Sequence, residues 1–171
     1  DNGLLEAQLR VDMLSIFMGM IFIGLGLAAT VYSLKYVEKD TGTPMYYTLL
    51  LAMISGMVGV VFAGDLFTLF VFWEIMCISS YALVAFRKEQ WEPVEAGLKY
   101  LVMSAAGSAT VLFGMSFLYG MTGTLNFEGL ARAFNQTAPS AWLHMAALFI
   151  LAGFGVKSAI VPLHTWLPDA H

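Results

Sequence analysis

Runs of about twenty apolar residues, repeated five times, dictate the solvent of this chain, because that length of helix is what a hydrocarbon core of roughly 30 Å requires. Residues 13–34 and 100–121 carry no charge at all, and 45–63 is a third such run. A fourth, 66–86, is interrupted only by Glu74, and a fifth, 141–163, carries His144 and Lys157. With 59% hydrophobic and only 12% charged residues and a mean hydropathy of +0.76, the chain is composed for lipid, not for water. None of the runs alternates polar and apolar residues as a barrel strand does, so each satisfies its own backbone as a helix. The expected fold is an all-α, multi-pass transmembrane bundle with spans at about 12–37, 45–63, 65–87, 97–121 and 141–163.

The joins carry most of the charge. Lys35, Lys39, Arg87, Lys88 and Lys99 fall on one side, against Arg10 and Arg132 on the other. The positive-inside rule therefore places the joins 35–44 and 87–99, and the segment 162–171, in the cytoplasm, with the amino end outside. The join 63–66 is very short, which makes spans two and three a tight hairpin with Asp65 at the outer surface, and the longer join 122–140 is outside too. The net charge of −4 forms no patch, so no nucleic-acid partner is expected. Run 13–34 is too long, and lacks the small-residue cleavage site, for a secretory leader. A start at Asp1 and an end soon after a span suggest a piece of a longer protein.

Small residues recur at helical spacing. Gly97, Ser104, Ala105, Gly107, Ser108, Ala109 and Gly114 occupy one span, and Gly19, Gly24, Gly26, Gly56 and Gly59 earlier ones. In lipid this pattern lets helix backbones approach closely, so it reads as packing. The lone Cys77 reads as a small buried apolar side chain. No Gly-rich phosphate loop, paired cysteines or ligand-spaced histidines occur, so no nucleotide, cluster, haem or metal is expected on this chain, nor a catalytic or redox centre. His164 and His171 bracket Asp169, a spacing that fits a polar, proline-rich helix exit better than a metal site.

Glu74 and Lys157 stand apart. An ionisable group at membrane depth costs at least about 2.5 to 3.5 kcal/mol, and is normally retained for ion or proton passage. A buried carboxyl and ammonium near one another keep each other charged, and moving them apart changes which protonation state is favoured. Gly153 and Gly155 before Lys157, and Pro162 after it, invite an irregular turn beside the lysine, between Gly153 and Pro162. The bland alternatives are a carboxyl retained for packing and a lysine snorkelling to the interface. Lys99, at the start of the fourth span, is open between snorkelling and a place in an internal ion path.

The strings Ala63-Gly-Asp-Leu-Phe-Thr-Leu-Phe-Val-Phe-Trp-Glu-Ile-Met76, Ser79-Ser-Tyr81, Leu98-Lys-Tyr100 and Gly155-Val-Lys-Ser-Ala159, running into Pro162-Leu-His-Thr-Trp-Leu-Pro-Asp-Ala-His171, resemble the antiporter-like membrane subunits. That family is shared by respiratory complex I, Mrp-type sodium/proton antiporters and energy-converting membrane-bound hydrogenases. The resemblance implies a larger subunit of about fourteen spans in two inverted five-helix repeats, of which this chain holds the third to the seventh. It implies that Glu74 and Lys157 are the ion-translocating glutamate and broken-helix lysine, with Lys99, His164 and His171 as possible path residues. It further implies a multi-pass protein of the prokaryotic plasma membrane or an equivalent energy-converting membrane. Partners are the remaining helices of the fold, other membrane subunits and peripheral redox subunits of an oxidoreductase complex. Proton and sodium are both open as the ion, and a secondary antiporter without redox partners or a purely structural subunit are the competing readings.

Overall fold

The computed structural model describes residues 7–87, 89–136 and 140–170; His171 lies outside them. The order is α1 (Met13–Tyr36), α2 (Thr43–Phe62), α3 (Leu66–Val84), α4 (Trp91–Thr122), α5 (Phe127–Gln136), α6 (Ala141–Lys157) and α7 (Leu167–Ala170). The chain is a multi-pass membrane protein with an all-α fold. Helices α1 to α4 are long and apolar enough to span, and α6 is a shorter apolar helix of 17 residues.

Local signals set the boundaries. Asp12, Asp65 and Ser140 are N-caps whose side-chain oxygens accept the backbone N–H three residues on, at 2.8, 2.8 and 3.2 Å. The Ser15 backbone N–H, and then its hydroxyl, hold the Asp12 carboxyl below its ordinary range. Gly123, at φ 70°, closes α4 in the left-handed conformation that glycine adopts freely. Helix α4 starts at Trp91, six residues before the expected boundary of 97, because Glu95 and Lys99 pair at i,i+4 (3.0 Å) and carry the helix through the charged stretch. The expected outer join contains α5, with Phe127, Leu130 and Phe134 on one face and Glu128 and Arg132 on the other. Leu130 is buried beside Leu118 and Ala146, so α5 closes that end of the α4/α6 pair.

The helices pack in series, α1 on α2, α2 on α3, α3 on α4 and α4 on α6. Glycines set the closest approaches. A Cβ at Gly153 would lie 2.5 Å from the Gly107 carbonyl oxygen, one at Gly114 2.9 Å from that of Ala146, and one at Gly56 2.7 Å from the Met76 nitrogen. Two polar ties fix the ends of the bundle. At one end the Gly64 N–H donates to Gln8 O (2.7 Å), Leu66 N–H to Leu125 O (3.0 Å), and Asp65 accepts from Gln8 N–H (3.0 Å). Asp65 sits in the short α2–α3 join but is buried, at 6% exposure, because it serves as cap and cross-link at once. At the other end Arg87 donates twice to Asp40 (3.1 and 3.2 Å) and lies over the Tyr36 ring, and the Asp40 hydrogen bond raises the guanidinium above its ordinary value.

Gly153→Ala is expected to destabilise the detergent-solubilised protein by about 1 to 3 kcal/mol, since the clash is with backbone. Gly24→Ala, where a Cβ meets nothing within 4 Å, serves as the neutral control in the same thermal unfolding measurement.

Candidate functional site

Two polar faces meet where α3 and α4 run antiparallel. On α3, Glu74, Cys77 and Ser80 follow at three-residue steps, and on α4, Tyr100, Ser104 and Ser108 at four-residue steps, so each set lies along one side of its helix. The pairing is Glu74 with Ser108, Cys77 with Ser104, and Ser80 with Tyr100. Ser108 Oγ donates to Glu74 Oε1, and Ser80 Oγ lies 3.0 Å from the Tyr100 hydroxyl. Cys77 is fully buried between the two ends, within electrostatic reach of Ser104, Glu74 and Lys157.

Lys157 enters from α6. It is the last residue of that helix, where the negative end of the macrodipole favours a cation. Its ammonium donates to the Tyr100 hydroxyl and to Ser80 Oγ (3.4 Å), and stands 4.3 Å from the centre of the Tyr100 ring. The Tyr100 ring also stacks on Trp166, with centroids 4.1 Å apart and planes 4° from parallel. The irregular turn expected between Gly153 and Pro162 follows directly. Ser158 caps the helix, Ala159 takes φ 51°, and Ile160 N–H reaches back to Gly155 O at 2.9 Å. Val156 O accepts from the Trp166 indole N–H at 2.9 Å, so the carbonyls of residues 154–156 are satisfied inside the protein although the helix stops within the apolar run.

Glu74 and Lys157 thus project into the same junction of α3, α4 and α6, which the Trp73–Phe154 stack (4.6 Å) packs from the side of Glu74. They do not form an ion pair; each is half-buried and held by hydroxyls of the seam. Lys99 falls outside this cluster. It pairs with Glu95 and borders an open groove of about 510 Å³ with Leu98, Val102, Met103, Thr165 and Trp166. His164 lies in the turn after α6 with its Nδ1 buried and without a partner among the described residues. Sequence reasoning passed over Ser108 and Ser104 as packing residues, yet their recurrence at four-residue steps from Tyr100 is the signal that marks the face.

Fold and site together define a membrane-embedded helix bundle that holds a half-buried carboxylate and ammonium on internal hydroxyls. The chain belongs to the family described as NADH:quinone oxidoreductase/Mrp antiporter, transmembrane part, which matches residues 63–171. Residues 4–47 match the profile of the NADH-ubiquinone oxidoreductase (complex I) chain 5 N-terminus. It is 36% identical over 163 residues to F(420)H(2) dehydrogenase subunit N of Methanosarcina mazei, covering 95% of this chain and 33% of that one. With NADH-quinone oxidoreductase subunit N of Desulforudis audaxviator it shares 38% over 166 residues, 96% of this chain and 33% of the relative. Among solved structures it is similar to a chain of the membrane-bound sulfane sulfur reductase, an archaeal respiratory membrane complex, at 36% identity and a TM-score of 0.75, covering 90% and 32% of the two chains. The chain spans about a third of the length of these relatives.

The seam register, which sets the Cys77 side chain within hydrogen-bond reach of Ser104, predicts that Ser104→Cys forms a disulfide with native Cys77 on mild oxidation. Loss of maleimide labelling after denaturation reads the bond. Leu101→Cys, off this face, should retain both thiols.

Proposed function

We infer that this chain forms one half-channel of an ion-translocating membrane subunit in a redox-driven pump, with Glu74 and Lys157 as the groups whose pairing and separation move the ion. The observation that carries the reading is the docking of Lys157. An ammonium at the end of an interrupted helix rests on Tyr100 and Ser80, while the carboxylate able to neutralise it rests on Ser108. A pair retained only for packing gains most by direct contact, because an uncompensated charge away from water costs several kcal/mol. A pair held apart on neutral donors and acceptors can close and open at small cost.

In this reading arrival of a proton, or of sodium in its place, closes or opens the pair, and the displaced charge passes to groups carried by the rest of the subunit. In this reading electron transfer belongs to peripheral partner subunits; the relatives are named as subunits of a dehydrogenase and of a quinone oxidoreductase. No redox cofactor is assigned to this chain, and its setting is the cell membrane or an equivalent energy-converting one. The family description also covers Mrp antiporters, so a secondary sodium/proton antiporter subunit is the second reading; redox subunits among the co-purifying proteins separate the two.

Lys157→Met is expected to reduce ion translocation about tenfold or more in sealed vesicles driven by the electron donor, a barrier change of at least about 1.4 kcal/mol. Glu74→Gln should also impair it, while Arg132→Ala, on the exposed face of α5, should do little. Wild-type translocation by an assembled Lys157→Met variant would leave only a structural role.

A further inference from the structure

Hydroxyls inside helices ordinarily bond to a carbonyl of the preceding turn. Ser79 does so to Ile75 O (2.7 Å), Thr110 to Ala106 O (2.7 Å), Ser116 to Phe113 O (2.6 Å) and Thr122 to Leu118 O (2.8 Å). Ser108 departs from that habit. Its hydroxyl crosses to the neighbouring helix and donates to the Glu74 carboxylate.

The other end of the seam shows a matching polarity. Ser80 Oγ donates to Cys77 O at 2.8 Å, which leaves its lone pairs to accept from Tyr100. When the Tyr100 proton is committed to Ser80, the phenol oxygen is left as an acceptor for the ammonium. One end of the seam therefore presents a donor, fitted to a carboxylate, and the other an acceptor, fitted to a protonated amine. Cys77 and Ser104 occupy the interval with no charge of their own.

We propose that Ser108 at one end, and Tyr100 with Ser80 at the other, are positioning residues that hold Glu74 and Lys157 as a separated ion pair on two oppositely polarised hydroxyl docks. The proposal rests on the translocation reading above and adds the residues that set the open state. When the pair closes, Lys157 leaves Tyr100 and Glu74 leaves Ser108. When it opens, the docks recapture both charges.

The test uses the intact complex in sealed vesicles, with ions moved per electron as readout and assembly checked by subunit content. Ser108→Ala and Tyr100→Phe are expected to lower that ratio about threefold to tenfold, the size of effect that one hydrogen bond supports. Tyr100→Phe removes only the hydroxyl and keeps the ring that stacks on Trp166, so it decides the matter even if Ser108→Ala fails to assemble. Ser108→Thr, which restores the donor, and Ser79→Ala, whose hydroxyl serves its own helix, should stay within about twofold of wild type. The proposal is overturned if Tyr100→Phe and Ser108→Ala translocate normally while Glu74→Gln and Lys157→Met do not. It is equally overturned if Ser108→Thr falls as far as Ser108→Ala, which would mark a packing effect. Normal translocation by Glu74→Gln and Lys157→Met would instead remove the translocation reading itself.

Discussion

A polar group carried into hydrocarbon must find its partner inside the protein, and the approach of α6 to α4 is what lets this chain meet that demand at Lys157. Gly107 and Gly153 place the two backbones so close that the Gly107 carbonyl stands where a side chain on residue 153 would be. Lys157, one turn beyond Gly153, then reaches the Tyr100 hydroxyl on the facing helix. Were α6 displaced outward by ordinary side chains, the ammonium would face lipid and α6 would end without cover. The Trp166 indole, flat on Tyr100 and bonded to Val156 O, completes the arrangement, satisfying a last-turn carbonyl while covering one face of the ring.

The ends of the bundle obey the same demand with different means. Short joins expose backbone groups that no helix serves, and here they serve one another. Residues 8–10, 62–66 and 125–127 exchange main-chain hydrogen bonds where the amino-terminal segment and two joins meet. Asp65 binds this meeting point together by accepting from its own helix and from Gln8. At the opposite end the work falls to side chains, with Arg87 joining two connections through Asp40.

Hydropathy decided most of what the sequence could show, because apolar length and a lipid solvent leave little choice but helices, and α1, α2 and α3 fall within a few residues of the expected spans. Charge misled at α4, where Glu92, Glu95 and Lys99 read as a join although the last two are spaced as helix neighbours. In the stretch before α6, Gly123 and Asn126 announced a turn and hid the amphipathic spacing of Phe127, Leu130 and Phe134. Glu74 and Lys157 stand out in the sequence from their cost alone. Their hydroxyl partners do not, since serine is small as well as polar, and only the register of α3 against α4 shows which of the two properties Ser108 uses.

The length of that register has an electrical meaning. Tyr100 and Ser108 are eight residues apart on one helix, or about 12 Å at 1.5 Å per residue. That is roughly two fifths of a hydrocarbon core about 30 Å thick. A unit charge carried from one end of the seam to the other crosses a comparable share of the transmembrane voltage, about 0.9 kcal/mol at 100 mV for a field that falls evenly. The seam between α3 and α4 is therefore a segment of the membrane's own potential drop, and the position of a charge along it is biased by the transmembrane voltage.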